Sequence, residues 1–538
     1  MRHHLSVGLA LLQASSIAAE YVWPNKYDEL EDVMMLLSGY IRKGFADAVS
    51  PCSFGTNVEG IQNAAEWIRT AYHDMATHDA AAGTGGLDAS IMFELDRAEN
   101  IGTAFNTTLG FMSNYYTVRT SASDLLALAV VTATSMCDGP RIPYRAGRID
   151  ATEAGPLGVP KPEEDIKTHT SRFATAGFNT TDMITMVACG HTLGGVHGVN
   201  FPEITGNSSA GQVSRFEGNN GTAFSKFDNV VVSQYLDNEP GNLLVHGSNE
   251  TMNSDKRVFE ADGNETMNAL ADAAVFQSKC ADVMERMINA VPSTVTLTDE
   301  IQPAEIKPYI TTLGLNSNGT IDFKGRIRVR VTAGIGRNIS DLDVHLTYAD
   351  HNGANASSPI TTTKATTQGG TSSGLFREYF LWFEFATVID PSTGISKFNV
   401  HVTTPSTGVV ELFDNAGQGF PLEDSILYQQ LQSCYSYTGE NLTIAVAVKK
   451  ERAEETLTLN LVHKVPRQGV IVPALEVRPV TFAKTDVEKG DYVLFQAQSP
   501  LASKSQSTTF DVILGEGDAQ STIEFQRTNV LTDVCKSL

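Results

Sequence analysis

The sequence contains few cysteines, few tryptophans and, after its N-terminus, no long hydrophobic run. Its 538 residues include six cysteines and three tryptophans. No later run reaches the roughly 18 consecutive apolar residues that a membrane-spanning helix requires. The C-terminal letters TDVCKSL also lack the apolar tail of a lipid-anchor signal. We therefore expect a soluble mature chain with no membrane partner.

Positive charge is scarce as well. Lysine and arginine number 39 against 62 aspartates and glutamates, which gives a net charge of -23 at pH 7. A chain with this charge repels the phosphates of nucleic acids and the headgroups of anionic lipids. We therefore expect no nucleic-acid partner, and the case against a membrane partner is strengthened.

Residues 1–19 have the features of a secretory signal peptide. Arg2 precedes the apolar run 5–12, and small residues lead to a predicted cleavage near Ala19. Ten Asn-x-Ser/Thr triplets follow, which are acceptor sites for N-linked glycans in secreted proteins. Single triplets occur by chance, but ten together favour a secreted, extracellular glycoprotein. The acceptors are Asn106, Asn179, Asn207, Asn220, Asn249, Asn264, Asn318, Asn338, Asn355 and Asn441.

The six cysteines indicate disulfide bonds, because a secreted chain folds in an oxidising compartment. Six cysteines allow fifteen pairings, so the sequence alone leaves the connectivity open. Four lie before residue 300 and two after residue 430, so pairing within each part is the simplest expectation. These residues are Cys52, Cys137, Cys189 and Cys280, then Cys434 and Cys535.

The hydrophobic pattern changes near residues 291–293. Before this point apolar residues recur at three- and four-residue spacing, which predicts helices. Ser121 and Asn179 are expected to cap two of them. After this point, short alternating runs rich in β-branched residues predict strands.

We therefore expect a multidomain chain whose first part is all-α and whose second part is all-β. The helical domain is predicted over 20–295 and the sandwich-like β region over 296–538. The β region could be two sandwiches split near 420–440. It carries no catalytic motif, and Trp382 with its aromatic neighbours is expected to be core rather than a sugar-stacking platform.

Two histidine segments stand out in the helical region. Arg69 and His73 are four residues apart and share one helix face, where guanidinium and imidazole can converge on one small ligand. A solvated face or an ion pair is the alternative. His73 and His78 are five apart, which does not match helical zinc ligands. His191 ends an apolar helix, and a buried histidine bonded to backbone is the alternative there.

These segments belong to a longer series of motifs. The series is Arg69-x-x-x-His73-Asp74, then GGLDASI, AENIG, SASDLLALA with CDGPRIPYRAGRIDAT, GFNTTDMITMVACGHTLGG, FDN and NSDKRVF. In order and spacing it resembles the haem peroxidase superfamily of plants, fungi and bacteria, in particular the secreted fungal members. The resemblance implies that 20–295 is a haem peroxidase domain that holds haem b, reduces H₂O₂ and oxidises small, phenolic donors.

The resemblance assigns roles to five residues. His191 matches the ligand of the haem iron, and Asp255 matches the carboxylate that accepts the other N–H of that ligand. His73 matches the general base and acid that moves the peroxide proton. Arg69 matches the cation that stabilises developing negative charge. Asn100 matches the amide that holds the ring of His73.

The resemblance also implies bound cations. A calcium site is expected where carboxylate, carbonyl and hydroxyl oxygens come together, at Asp74, Gly86, Asp88 and Ser90. A second cation could bind at Thr192 and Asp228, with Asn220 and Thr222 in place of the usual intermediate ligands. A disulfide between Cys52 and Cys137 is typical of the secreted fungal members, and Cys189 is then expected to pair with Cys280.

Three further residues are expected to contact the haem. Tyr72 stands where tryptophan or phenylalanine is usual, and could carry a radical or, as we expect, simply pack on the haem. Phe216 matches approximately the aromatic residue beneath the haem. His197 stands where the intracellular branch has a histidine that bonds a haem propionate, so the chain mixes features of two branches.

Two specialised activities are not expected. The three acids of a manganese site correspond here to Gln62, Glu66 and His197, so one acid remains. The exposed tryptophan of lignin-oxidising enzymes corresponds to Met186. Small phenols that reach the haem edge are therefore the expected donors.

The predicted function is a secreted haem peroxidase. One alternative is a cell-wall or carbohydrate-binding glycoprotein whose peroxidase part is a degenerate scaffold. Another is catalase-like consumption of peroxide. The β region could contact cell wall or polysaccharide, form a dimer surface or cover the peroxidase domain.

Overall fold

The computed structural model describes residues 21–55, 61–208, 213–215 and 226–538. The predicted signal peptide lies outside these residues. Within them the chain forms twelve α-helices before residue 290, with three short strands between them, and nineteen strands after residue 305. The predicted order of an all-α part followed by an all-β part is confirmed. No described helix combines the length and apolarity needed to cross a bilayer.

The helices follow the three- and four-residue periodicity of the sequence. Ser121 accepts a hydrogen bond from the backbone N–H of Asp124, and Asn179 forms a reciprocal capping box with Asp182, so both predicted caps are confirmed. The helices are α1 Asp28–Met35, α2 Asn63–Met75, α3 Ala104–Met112, α4 Ala122–Met136, α5 Ile166–Thr175, α6 Thr180–Gly190, α7 Pro202–Thr205, α8 Val230–Leu236, α9 Leu243–His246, α10 Ser254–Phe259, α11 Glu265–Leu270 and α12 Ala273–Asn289.

The strands pair in antiparallel sheets throughout. Three lie in the helical part: β1 Ser38–Gly39, β2 Gly195–His197 and β3 Val213–Arg215. The others are β4 Ile306–Leu315, β5 Ile321–Arg330, β6 Asp343–Ala349, β7 Ile360–Thr361, β8 Thr363–Lys364, β9 Thr371–Ser373, β10 Tyr379–Ile389, β11 Lys397–Thr404, β12 Val409–Phe413, β13 Phe420–Pro421, β14 Ile426–Tyr428, β15 Cys434–Ser436, β16 Asn441–Lys449, β17 Leu457–Arg467, β18 Val470–Thr481, β19 Ala483–Lys489, β20 Tyr492–Pro500, β21 Thr509–Leu514 and β22 Ser521–Arg527.

The β part contains two pairs of sheets. The first pair has the strand orders β1-β9-β10-β5-β4 and β12-β11-β6-β7, and its core includes Phe323 and Phe398. The second pair has the orders β14-β16-β20-β19 and β18-β17-β21-β22, and its core includes Leu459 and Phe510. The change from one pair to the next falls between β13 and β14.

The helical and β parts share a hydrophobic core. Strand β1 pairs with β9 of the first β sheet, so the N-terminal segment completes a sheet of the β part. Phe380 and Trp382 of β10 and Val472 of β18 pack into the same cluster as the helices. Trp382 is fully buried, as expected of a core residue. The predicted domain boundaries themselves stay predictions.

Three disulfides join cysteines within each part. Cys52 bonds Cys137 and Cys189 bonds Cys280 in the helical part, and the third bond, in the β part, links Cys434 with Cys535. All three pairings agree with the sequence-based expectations. The second bond fixes the end of α6, which carries the candidate iron ligand, to α12.

Candidate active site

One cavity of about 470 Å³ brings the candidate catalytic residues together. Arg69 and His73 line one side from α2, while His191, at the end of α6, and Asp255 of α10 also line it. Cavities of this size are typical of small-molecule and cofactor sites. Residues distant in sequence therefore line one cavity.

His73 is held from one side of its ring. Its Nδ1 lies 2.8 Å from Oδ1 of Asn100, whose own amide nitrogen donates to the backbone oxygen of Glu94. Because the amide oxygen can only accept, Nδ1 carries the proton and Nε2 can act as a base. Burial, helped by the nearby charge of Arg69, lowers the pKa of His73 to about 3. The ring is therefore neutral at ordinary pH.

Arg69 provides a positive charge beside this base. Its guanidinium donates to the backbone oxygen of Ile101 at 3.0 Å and lies 4.7 Å from the ring centre of Phe105. Burial lowers the pKa of Arg69 to about 10, which still leaves the group charged at neutral pH. A fixed cation next to a neutral imidazole suits the stabilisation of a developing anion.

His191 and Asp255 form the second pair. Oδ2 of Asp255 lies 2.6 Å from Nδ1 of His191, and the carboxylate is buried. Burial acts to lower the pKa of His191, but the carboxylate outweighs it, so the pKa is raised. With Nδ1 engaged by a carboxylate, Nε2 is the nitrogen that an iron ion would bind. This is the pairing that the resemblance implied.

Three other predicted haem contacts have different outcomes. Tyr72 lines the cavity beside His73 and packs at 6.0 Å on Phe173, and burial raises its pKa. His197 lies on β2 and also lines the cavity. Phe216 lies outside the described residues, so its predicted place stays a prediction.

The residues of the predicted calcium site are neighbours. Asp74 accepts hydrogen bonds from the backbone of Ala89 and Ile91, at 2.7 and 2.9 Å, and its Oδ1 lies 3.5 Å from Oγ of Ser90. Asp88 accepts from the backbone N–H of Ser90 at 3.0 Å. Burial, followed by the charge of Asp88, raises the pKa of Asp74. Two buried carboxylates in contact with one loop thus lie close enough to repel each other.

Gly86 lies in the same loop with a φ of 104°, where a Cβ would come within 2.4 Å of the backbone oxygen of Ala290. Its position therefore requires glycine. The residues of the second predicted cation site also meet, since the Thr192 hydroxyl lies 3.3 Å from the backbone nitrogen of Asp228. Asn220 and Thr222, the proposed substitutes, lie outside the described residues, and this cation stays a prediction.

One cavity residue, Glu66, has a property that does not follow from the sequence. Glu66 lies on α2 one turn before Arg69, and its side chain is buried. Burial raises the pKa of its carboxyl group to about 7 although Arg69 acts to lower it. In the sequence, Glu66 is the one acid left of the incomplete manganese site, and it lies seven residues before His73 on the same helix face.

The cavity fits a haem group. It has an imidazole base and a cation on α2, and a carboxylate-bonded imidazole at the end of α6. Apolar side chains, including Phe173, Leu193 and Met284, complete the lining. A large apolar ring system with a metal ion at its centre matches such a donor set. Among the described residues, no three histidines, cysteines or acids gather as an alternative metal site.

Comparison with known proteins is consistent with this geometry. A family model described as Peroxidase matches residues 55–276. A WSC domain-containing protein of Arthroderma benhamiae is 39% identical over 540 residues, which is 99% of this chain and 71% of that protein. The similarity therefore includes the β part as well as the helical part.

Two relatives that are named as peroxidases match a smaller share. The peroxisomal L-ascorbate peroxidase 5 of Arabidopsis thaliana is 33% identical over 179 residues, 33% of this chain and 59% of that protein. Versatile peroxidase VPS1 of Pleurotus eryngii is 30% identical over 170 residues, 28% of this chain and 44% of that protein. The match spans less than two thirds of either protein, and both matches leave most of this chain uncovered.

Proposed function

The chain belongs to the peroxidase family, and on that premise we propose that it is a secreted haem peroxidase that reduces H₂O₂ and oxidises small phenols by one-electron steps. One observation carries the proposal. His73 and His191 line the same cavity, and each is held at Nδ1 by a side-chain partner, Asn100 or Asp255. A degenerate scaffold would not be expected to retain both histidine pairs.

His191 would bind the haem iron, and the cavity walls would hold the ring. Bound haem would supply the iron that binds peroxide and the redox capacity to split its O–O bond. With haem in place, His73 Nε2 would take a proton from one oxygen of H₂O₂ and return it to the other, which would leave as water. Arg69 stabilises the negative charge that develops there.

Asp255 and Asn100 position the two imidazoles. The carboxylate of Asp255 would make His191 a stronger electron donor because it accepts a hydrogen bond from Nδ1–H. The amide of Asn100 keeps the proton of His73 on Nδ1, so the nitrogen that acts as a base stays the same throughout. Two donor molecules then give one electron and one proton each, and the overall reaction produces two molecules of water.

Secretion is supported by surface chemistry. Of the nine glycan acceptors within the described residues, seven are exposed, and Asn264 and Asn441 are half-buried. All six cysteines are in disulfides, which is typical of an oxidising compartment. Small donors are favoured because Trp67 and Trp382 are buried and Trp23 is half-buried. The two buried rings cannot touch a bulky external substrate directly.

The visible spectrum of the secreted protein tests the proposal. We expect a Soret band that shifts when H₂O₂ is added and returns when a small phenol is supplied. Assayed side by side, the phenol should be oxidised faster than a bulky dye, and Mn²⁺ should not be oxidised. The absence of a Soret band would favour the scaffold alternative. Release of O₂ without consumption of phenol would favour the catalase-like one.

We also propose that Ca²⁺ is held by Asp74, Asp88 and Ser90 with the backbone oxygen of Gly86. The support is the repulsion between the buried carboxylates of Asp74 and Asp88, which a hard cation would relieve. Because an ion that binds only the folded state stabilises it, removal by EDTA should lower the free energy of unfolding. The loss should be about 3 kcal/mol if calcium is present at a hundred times its dissociation constant.

The control for calcium is a nearby carboxylate. Asp88→Asn should unfold at the same temperature with or without EDTA, because the site has lost a ligand. Asp96→Asn, which changes an exposed acid eight residues later, should keep the full response to EDTA. If EDTA leaves the melting temperature of the unmodified protein unchanged, the calcium site is not there.

A further inference from the structure

Glu66 occupies a distinctive place in the active cavity. It lies on the same face of α2 as Arg69 and His73, and lines the cavity with them. Seven residues separate it from His73, which at the helical rise corresponds to about 10 Å along the helix axis. A carboxyl group at that distance is too far to act on peroxide at His73. It is close enough to hold one end of a small aromatic molecule whose other end reaches the reaction site.

The carboxyl group of Glu66 has no protein partner for one of its oxygens. Oε2 is buried and makes no hydrogen bond to any described residue, and the residue as a whole is 7% exposed. The charge of Arg69 acts on this carboxyl group but does not outweigh burial, and the hydrogen bond that its guanidinium donates goes to the backbone oxygen of Ile101. Burial of an unpaired carboxylate is costly, and a partner from outside the chain would remove the cost.

The polar side chain one turn before Glu66 on α2, Gln62, already has hydrogen-bond partners in the protein. The amide nitrogen of Gln62 donates to the backbone oxygen of Cys52 at 3.0 Å, and its amide oxygen accepts from the backbone of Gly194 at 2.8 Å. Both ends of the Gln62 amide are therefore used in hydrogen bonds within the protein. Glu66 is the acid that faces the cavity from this part of α2. A divalent metal would need several oxygen ligands, whereas a single organic cation needs one carboxylate.

We propose that Glu66 is a specificity-determining residue that binds the cationic group of an organic donor, an aromatic phenol that carries an ammonium group. The proposal rests on the proposed function, because the donor must enter the cavity that activates peroxide. The net charge of the chain favours a cationic donor, since a protein with a net charge of -23 attracts cations and repels anions. The ammonium group pairs with the carboxylate, while the phenol points along the cavity towards His73.

Two phenols with the same ring separate the effect of the ammonium group from the effect of the ring. Tyramine carries an ammonium group, and 4-ethylphenol has the same skeleton without it. Calorimetry of the haem-loaded protein without peroxide measures their binding directly. Glu66→Gln should weaken tyramine about tenfold or more, as expected for loss of a charge-assisted hydrogen bond, and should change 4-ethylphenol less than twofold. Tyramine should also bind more weakly as the pH falls below about 7, because the carboxyl group becomes protonated.

Glu163→Gln is the matched control. Glu163 lines the same cavity but is exposed, so its loss removes one negative charge without touching a buried site. An equal loss of tyramine binding in both variants would show a general effect of charge. An equal loss of both probes in Glu66→Gln would show a structural role. Displacement of tyramine by Mn²⁺ with oxidation of the metal would assign Glu66 to a cation of another class. Each of these results would overturn the proposal.

Failure of the proposed function has a different signature. If peroxide does not shift the Soret band, the enzyme proposal fails whatever the calorimetry shows. If peroxide shifts the band and neither probe depends on Glu66, the peroxidase stands and the inference about Glu66 is wrong. Thermal unfolding of Glu66→Gln checks that the variant is folded in either case.

Discussion

The His73→Leu variant is expected to react with H₂O₂ roughly 10² to 10⁴ times more slowly than the unchanged protein, the usual contribution of a positioned general base. Leucine fills similar space but cannot take the proton that Nε2 would accept. Haem should still be held, because His191 and Asp255 are untouched. Stopped-flow recording of the Soret shift at increasing H₂O₂ concentrations measures the rate constant directly.

Tyr72→Phe is the control for this experiment. The residue is adjacent to His73 on α2 and lines the same cavity, but the substitution removes only a hydroxyl. Its rate with H₂O₂ should stay within a few-fold of the unchanged protein. If Tyr72→Phe is slowed as much as His73→Leu, the reaction depends on the packing of this helix rather than on the imidazole. A Tyr72→Phe variant that activates peroxide normally but loses a tyrosyl radical signal would instead assign the radical to Tyr72.

The pH dependence follows from the environment of His73. Burial and Arg69 lower its pKa to about 3, so the neutral base predominates above that pH. A group with a lowered pKa loses its basic form only as the pH falls through that value. The rate with H₂O₂ should therefore stay nearly constant from pH 7 to about 4 and then decline. A decline centred near pH 6.5 would show that the ring is exposed to water.

Of the two candidate catalytic pairs, only Arg69 with His73 belongs to one short motif of fixed spacing. Arg69 and His73 share a helix face by the geometry of any helix. The pairing of His191 with Asp255 joins residues 64 positions apart, and only the resemblance implied it. Composition and periodicity carry no information on such a pair, since the contact depends on how α6 and α10 pack.

The properties of Glu66 could not be predicted. Its position on α2 was visible in the sequence, and comparison with manganese-oxidising enzymes drew attention to it only as an incomplete metal site. One oxygen of its carboxyl group has no hydrogen-bond partner among the described residues. This depends on where Arg69 and Gln62 direct their side chains, and those directions depend on Ile101, Cys52 and Gly194. An unsatisfied group is a property of the whole packed site and is visible only once every neighbour is placed.

The contacts between the helical part and the β part could not be predicted from the sequence either. Its pattern gave no sign that the first helix would lie against the β sheet. In the structure, Lys307 of β4 donates to Glu31 at 2.9 Å and to Asp32 at 2.8 Å, and Arg328 of β5 contacts both acids. All four side chains are buried. These contacts join residues about 275 to 297 positions apart, a separation at which local patterns are uninformative.

Lys307→Met should therefore destabilise the protein by about 3–5 kcal/mol, because two buried acids would lose the ammonium group that hydrogen-bonds both of them. Lys324→Met on the neighbouring strand β5 is the control, since Lys324 pairs with Asp322 at the surface and its loss should cost about 0–1 kcal/mol. Denaturant unfolding, followed by tryptophan fluorescence, compares the two.

Acid unfolding gives an independent test of the buried charged cluster formed by Lys307, Arg328, Glu31 and Asp32. Burial alone would raise the pKa of Asp32, but Lys307, with Lys43 and Arg328, lowers it to about 2. A lowered pKa contributes stability at pH values above the unfolded pKa near 4, and this contribution is lost as the pH falls towards 2. In Lys307→Met the pKa of Asp32 rises, so acid unfolding should begin at a higher pH than in the unchanged protein or in Lys324→Met. If the two variants unfold alike in denaturant and in acid, the buried cluster does not hold α1 on the β sheet, and the helical part should be stable without the β part.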